Sequence, residues 1–151
     1  MPDPAPAEHS EDASPEIQAR IRASFERQGL MRHLGAQLAH IGTGRVDIVL
    51  PHRPELTQQH GYFHAGATTA IADSAGGYAA YTVFPEGTEV LTVEFKVNLL
   101  APAGGDRLEA SGRVLKSGRT LTICRLEVFA SQSTERVLVA AGQQTLIRVA
   151  S

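Results

Sequence analysis

The segment from Ala65 to Ala80 constrains the fold more than any other part of the chain. It is rich in Ala, Gly, Ile and Tyr, and Asp73 is the only Asp, Glu, Lys or Arg between Glu55 and Glu86. A helix that is apolar on nearly all sides is a buried helix. The rest of the chain must therefore cover this segment, and the lone carboxylate inside it requires a reason.

Strand-like runs on both sides of this helix can supply that cover. Before it, two extended pieces between Gly35 and Leu50 flank the turn Gly42-Thr-Gly44, which predicts a hairpin or a bent, bulged strand. After a break at Phe84-Pro-Glu-Gly87, an antiparallel meander is predicted over Glu89–Leu100, Arg107–Lys116, Thr120–Ala130 and Val137–Val149. This order predicts the α+β class, with a long helix laid on a sheet.

An amphipathic helix is predicted ahead of the hairpin. Ser14 can cap it, Pro15 suits its first position, and apolar residues recur at four-residue spacing from Ile17 to Phe25. We expect this helix to run to about Arg27, with Gly29 near its end.

The chain before this helix has a different composition. Residues 1–14 are rich in Pro, Ala, Asp and Glu and hold no large apolar side chain after Met1, so we expect a disordered tail. The remaining residues, 15–151, fit one compact domain. The tail lacks the basic start and apolar run of a signal peptide, and no segment offers the roughly 18 apolar residues of a membrane span. We therefore expect a soluble, cytoplasmic protein that binds no membrane.

Charge and cysteine content argue against several function classes. The formal net charge of −2 gives no basic footprint for nucleic acid. The single cysteine, Cys124, rules out an intrachain disulfide and a multi-Cys zinc site. Its place in the alternating run from Leu121 to Phe129 predicts ordinary packing rather than reactivity.

Asp73 has two interpretations. An ionised carboxylate is costly to bury without partners, so such a group is paired or hydrogen-bonded, or else its proton affinity serves chemistry. No Lys or Arg stands at helical neighbour spacing from Asp73. A purely structural role would therefore require a distant Arg or backbone donors, and the residues alone leave both interpretations open.

The N-terminus of the same helix offers a second reactive element. Free amides near Ala65 and Gly66, at the positive end of the helix dipole, can polarise a carbonyl, and Gly66 lets a substrate approach the backbone. Asp73 lies about 11 Å further along the axis, too far to act on the same carbonyl. If two copies pack antiparallel across a two-fold axis, one N-terminus meets the Asp73 of the other. We therefore hypothesise an obligate dimer.

Three motifs resemble those of PaaI-like hotdog thioesterases. The run Gln58-Gln-His-Gly-Tyr-Phe-His64-Ala-Gly66, followed by Asp73, is similar to the family's HGG…D signature. The strand Thr92-Val-Glu-Phe-Lys-Val-Asn-Leu-Leu-Ala-Pro102-Ala and the segment Val114-Leu-Lys-Ser-Gly-Arg-Thr120 resemble the same family. The resemblance implies a hotdog fold, in which an antiparallel sheet wraps a long central helix, and homodimers or tetramers with active sites between subunits.

The resemblance also implies roles for single residues. Asp73 would attack the thioester carbonyl or activate water to do so, and the Ala65 amide would polarise the carbonyl oxygen while Gly66 shapes the turn. The family usually has glycine where Ala65 stands, and we expect the methyl group to narrow the approach. Gln58 would position the water or the carbonyl, although a loop glutamine is often merely solvated.

Two further positions match the family more weakly. His64 would donate to the thioester region, but a histidine at a helix start also serves as a cap. Thr92 matches a Ser or Thr that contacts the site in some members, although threonine is also an ordinary strand residue.

Substrate contacts are expected on both sides of the site. The turn Lys116-Ser-Gly118-Arg119 offers two cations and free amides for the phosphates of coenzyme A, although charges in a turn are often only solvated. Tyr62 and Phe63, together with Tyr78 and Tyr81, can line an acyl pocket or belong to the core.

The resemblance implies an acyl-CoA thioesterase acting on small, medium or aromatic acyl groups. No metal or organic cofactor is implied, because coenzyme A is part of the substrate. A hotdog hydratase or dehydratase is an alternative, but it would need an acid–base pair at the β-carbon whose usual signature is not evident. A silent acyl-CoA-binding module is another alternative, and the intact Gln58, His64 and Asp73 argue against it.

Overall fold

The computed structural model describes residues 11–151, which form a six-stranded antiparallel sheet and three helices. The helices are α1 (Pro15–Glu26), α2 (Gly29–Leu34) and α3 (Ala65–Tyr81). The strands are β1 (Gln37–Gly42), β2 (Arg45–Pro51), β3 (Thr88–Leu99), β4 (Arg107–Ser117), β5 (Leu121–Gln132) and β6 (Glu135–Ala150). The predicted α+β class is confirmed, as are the hairpin and the long buried helix.

The N-terminal helix forms as predicted. The Ser14 hydroxyl accepts a hydrogen bond from the Ile17 amide at 3.3 Å, and Pro15 occupies the first turn. Ile21 is fully buried on the face that the four-residue spacing marks as apolar. The expectation that Gly29 lies near the end of this helix needs correction, because Gly29 begins the short helix α2 and Gly35, at φ +80°, ends it.

The residues just before α1 also make contacts. The backbone of Asp12 bridges to Gly42, and Ala13 is buried and donates its amide to the Ile41 carbonyl at 3.0 Å. Residues 11–14 therefore belong to the packed part of the chain, which corrects the predicted disordered tail over 1–14 at its end. Residues 1–10 lie outside the described residues.

The order of strands differs from the predicted meander in one respect. The sheet runs β1-β2-β4-β5-β6-β3, so of the four strands predicted as a meander only β4, β5 and β6 are neighbours in sequence order. β3 follows α3, which crosses the face of the sheet, and the chain therefore re-enters at the far edge beside β6. β3 and α3 are thus brought together at that edge.

Helix α3 lies unusually close to the sheet. Added at Gly112 of β4, a Cβ would fall well inside van der Waals contact with the backbone of Ala75 and Gly76. Only a residue without a side chain allows this approach. The close packing buries Ile71, Ala75 and Ala79 completely and holds the whole helix against the sheet.

No helix within residues 11–151 is both long enough and apolar enough to cross a membrane.

We predict that Gly112→Ala lowers the free energy of unfolding by about 1–3 kcal/mol, because the methyl group must push α3 off the sheet. Gly77→Ala is the matched control, since a Cβ at Gly77 meets only the Leu146 side chain at 3.7 Å. Urea unfolding of both variants at one protein concentration measures the difference. Equal stability of the two variants would contradict this account of the packing.

Candidate active site

The Asp73 carboxylate is held by two side chains from neighbouring strands. Its Oδ1 accepts a hydrogen bond from the Thr92 hydroxyl at 2.7 Å and one from Gln144 Nε2 at 2.5 Å. Gln144 Nε2 also lies 3.1 Å from the Asp73 carbonyl oxygen and 3.1 Å from Thr92 Oγ1. The carboxylate is therefore fixed by neutral donors on β3 and β6, and neither a distant Arg nor a backbone amide supplies its contacts.

The other carboxylate oxygen is left uncommitted. Among residues 11–151, no hydrogen bond or ion pair reaches Asp73 Oδ2. Asp73 is half-buried and lines a cavity of about 350 Å³. Fixing one oxygen while the other faces a cavity orients the carboxylate for reaction with a bound molecule.

Two local features of the backbone make this arrangement possible. Thr92 of β3 pairs with the buried Leu146 of β6, which places the Thr92 side chain on the helix side of the sheet, and a β-bulge follows between Thr92 and Glu94. A Cβ at Gly76 would collide with Gln144 Oε1, so only glycine leaves room for the amide. If the Gln144 amide were flipped, its Oε1 would face the Asp73 carboxylate, and repulsion between the oxygens disfavours that orientation.

Gln144 is the site residue that the sequence interpretation missed. It is fully buried, and its Oε1 has no hydrogen-bond partner among residues 11–151. Burying an amide in this state is costly, and the bond to Asp73 offsets part of that cost. A signal was present, because strand alternation places Gln144 on the same face as the buried Leu146.

The N-terminus of α3 forms a separate structure. His64 is the N-cap, and its Nδ1 accepts a hydrogen bond from the Gly66 amide at 2.8 Å. This confirms the capping role that was left open for His64, and it places the ring proton of a neutral His64 on Nε2. The Gly66 amide is consequently occupied, while the Ala65 amide donates to no acceptor within residues 11–151.

Glycine at position 66 also favours this cap. A Cβ at this position would lie 3.0 Å from His64 Nδ1, closer than side chains normally tolerate. Glycine thus permits the imidazole to fold back over the first turn. The Ala65 amide remains a free donor at the positive end of the helix dipole, as the sequence predicted.

A second cavity of about 440 Å³ adjoins this helix end. Gln58, Tyr62, Phe63, His64 and Ala65 line it, and the apolar side chains of Leu99, Ala101 and Val139 complete its wall. Gln58 Oε1 accepts a hydrogen bond from the His60 amide at 2.5 Å, which shapes the loop. The Gln58 Nε2 group has no partner among the described residues and is free to donate.

The remaining predicted contacts lie elsewhere. Lys116, near the end of β4, and Gly118 and Arg119, in the turn to β5, are exposed and lie outside both cavities. Tyr78 lines the Asp73 cavity, whereas Tyr81 is buried against Phe84 in the core and lines neither.

One chain therefore holds two separate half-sites. The half-site at Asp73 contains Thr92 and Gln144, and the half-site at Ala65 contains Gln58 and His64. Asp73 stands eight residues after Ala65 on α3, about 12 Å along the axis. A single carbonyl cannot contact both half-sites of one chain.

Cys124 takes no part in either half-site. It is buried in β5 against the helix, and its thiol donates to the Gly76 carbonyl at 3.5 Å. Burial raises the pKa of the thiol to about 12, which keeps it protonated and unreactive at neutral pH. Within residues 11–151, no three His, Cys, Asp or Glu side chains are grouped to hold a metal ion.

Comparison with known proteins gives consistent matches. Residues 60–137 match the family model described as the thioesterase superfamily. A thioesterase family protein from Silicibacter pomeroyi is 41% identical, with a TM-score of 0.87 over 89% of this chain and 99% of that one. The E. coli PaaI protein, from the phenylacetic acid degradation operon, shares the fold at 19% identity, with a TM-score of 0.80 over 90% of this chain and 95% of that one.

A relative identified by sequence comparison is also named as a thioesterase. The proofreading thioesterase EntH of Klebsiella pneumoniae is 27% identical over 101 residues, which span 67% of this chain and 76% of EntH.

Proposed function

This chain belongs to the thioesterase superfamily and is a thioester hydrolase, and we propose that it hydrolyses acyl-CoA thioesters at a site shared by two subunits. The PaaI-like family and the hotdog fold expected from the sequence are confirmed. The observation that carries the proposal is Asp73, a carboxylate fixed through one oxygen while the other faces a cavity.

Asp73 Oδ2 is the reacting oxygen in this proposal. Thr92 and Gln144 hold Oδ1, so Oδ2 either attacks the thioester carbon or removes a proton from the water that attacks it. Direct attack forms a mixed anhydride with Asp73 as the carbon–sulfur bond breaks, and water then hydrolyses the anhydride to the carboxylic acid and free Asp73; activated water instead gives the acid directly. In both routes one water is consumed and coenzyme A leaves as the thiol. Both routes fit the geometry, and neither requires a metal or an organic cofactor.

The Ala65 amide of a second copy polarises the thioester oxygen. This amide is unpartnered among residues 11–151 and stands at a helix N-terminus, where developing negative charge is stabilised. Gln58 Nε2 lines the same cavity as a neutral donor and can position the carbonyl or the attacking water. His64 acts mainly by holding the helix start in place through its cap.

An incomplete sheet edge supports the dimer. β3 is an edge strand of 12 residues, and its side chains Leu91, Phe95 and Leu99 are 58%, 46% and 59% exposed. A long apolar edge is normally covered by another strand or chain. Antiparallel pairing of two β3 strands would continue the sheet and bring the α3 helices of two copies side by side, which joins the two kinds of half-site.

The basic turn at Lys116, Gly118 and Arg119 is proposed as the contact for the coenzyme A phosphates. Its Thr120 carbonyl accepts a hydrogen bond from the Arg148 amide at 3.0 Å, and Arg148 pairs with Val90, which lines the Asp73 cavity. The turn therefore lies at the same end of the sheet as that cavity. Exposed cations at this place can attract phosphates without occupying the acyl pocket.

Asp73→Asn should reduce turnover of acyl-CoA by at least about 100-fold while the protein keeps its melting temperature, since the amide can neither attack nor accept the proton. Thiol release from a panel of acyl-CoAs measures this loss. Asp106→Asn is the control, because Asp106 lies in the loop before β4 and lines neither cavity. Near-normal hydrolysis by Asp73→Asn would remove Asp73 from the mechanism.

Ala65→Pro should reduce kcat by about 100-fold or more, because proline lacks the amide hydrogen that we assign to the thioester oxygen. Proline is well suited to the first position of a helix, and the extended His64 before it, at ψ 139°, is compatible with proline. The variant should therefore fold, which its melting temperature and circular dichroism verify. Full activity in a folded Ala65→Pro protein would show that this amide is not used.

Phe95→Asp should convert the protein to an inactive monomer, because the charge would be buried where two β3 strands meet. Sedimentation velocity at micromolar concentration measures the mass. Val137→Asp places the same charge at a residue of similar exposure, 48%, on β6, and it should leave the dimer intact. A wild-type protein that is monomeric and active would contradict the shared site.

A further inference from the structure

The cavity at Asp73 is lined in part by residues outside the matched family region. The match covers residues 60–137, whereas Ser24, Arg27 and Gln28 line this cavity from the end of α1 and the residues that follow it. The N-terminal segment therefore shapes the pocket that lies beside the reacting carboxylate.

Gln28 connects this part of the lining to helix α3 through two hydrogen bonds. Its Oε1 accepts a hydrogen bond from the Ser74 hydroxyl at 3.1 Å, and its Nε2 donates to the Tyr78 hydroxyl at 2.9 Å. Ser24 Oγ lies 3.1 Å from the same Tyr78 oxygen. The network thus spans one turn of α3 and begins at the residue that follows Asp73.

This network has unused hydrogen-bonding capacity. A glutamine amide offers two donor hydrogens and two acceptor sites. Within residues 11–151, one of each is used at Gln28, by Tyr78 and Ser74. Burial raises the pKa of Tyr78, so its hydroxyl stays protonated at neutral pH. A group that both donates and accepts hydrogen bonds fits this wall.

The rest of the lining disfavours two other kinds of acyl group. Among residues 11–151, Val90 and Leu146 are the only aliphatic side chains that line the cavity, so a plain alkyl chain would cover polar groups without forming hydrogen bonds to them. An acyl group that ends in a carboxylate would meet two acidic side chains, Asp73 and Glu89, against one cation, Arg27, in the lining of the same cavity. A neutral hydroxyl avoids both costs.

We propose that Gln28 is a specificity-determining residue that recognises a hydroxyl group on the acyl chain, beyond the thioester. The inference rests on the proposed function, because it assigns the Asp73 cavity to the acyl group of the substrate. Gln28 then selects among substrates and takes no part in the chemical step.

The test compares kcat/KM for matched acyl-CoAs that differ by one hydroxyl. Suitable pairs are phenylacetyl-CoA with its 3- and 4-hydroxy derivatives, and hexanoyl-CoA with 6-hydroxyhexanoyl-CoA. In the wild type, the hydroxylated member of at least one pair should be preferred by about 10-fold. This ratio requires no variant, and ratios near one for every pair would overturn the proposal.

The same ratio of kcat/KM values is then measured in two variants, one with a substitution within α1 and one with a substitution just after its end. In Gln28→Leu it should fall to about one, since leucine is of similar size but cannot form the hydrogen bonds. Gln18→Leu is the control, because Gln18 also uses its amide in a bond from this helix, to the Ala13 carbonyl at 2.9 Å, but lies outside the cavity. A preference that survives in Gln28→Leu, or disappears equally in Gln18→Leu, would overturn the role of Gln28.

Failure of this inference can be told apart from failure of the proposed function. Asp73-dependent hydrolysis with no preference for hydroxylated substrates would refute the role of Gln28 alone. An absence of Asp73-dependent hydrolysis across the whole panel would refute the proposed function, and the inference with it.

Discussion

The separation between Ala65 and Asp73 on one straight helix is the constraint on which the site depends. Eight residues of α helix hold the free amide and the carboxylate about 12 Å apart, and neither end can move without unwinding the helix. A thioester carbonyl is smaller than this distance. The proposed mechanism uses both groups at one carbon and therefore needs a second copy of the helix, and the exposed apolar edge at β3 is the place proposed for that copy to pair.

One glycine of the helix and one of the sheet allow the sheet to pack closely enough to hold the Asp73 carboxylate. Gly112 lets the helix backbone approach β4, and Gly76 leaves room for the buried Gln144 amide that holds Asp73. Thr92, the residue before the bulge in β3, supplies a second donor to Asp73 Oδ1, the oxygen that Gln144 also contacts. Packing and site geometry are thus coupled, because the close contact between α3 and the sheet also holds the Asp73 carboxylate in one orientation.

The elements that are regular in sequence could be predicted, and the site contacts between distant residues could not. The segment around Asp73 carries no other charge, and it predicted both the buried helix and the carboxylate within it because both lie in one local stretch of sequence. The position of β3 beside β6 depends on where α3 crosses the sheet, which no local pattern records. Gln144 and Gln28 were missed for a related reason, since a glutamine on a strand or at a helix end is ordinary until its partner on α3 is known.

Co-expression of two inactive variants tests the shared site most directly. Ala65→Pro removes the amide of one half-site, and Asp73→Asn removes the carboxylate of the other. A mixed dimer of the two would contain one site with both groups intact, so a statistical mixture should recover about a quarter of wild-type activity per subunit. If each chain instead built its own complete site, every site in the mixture would lack one group, and activity would stay at the level of the separate variants.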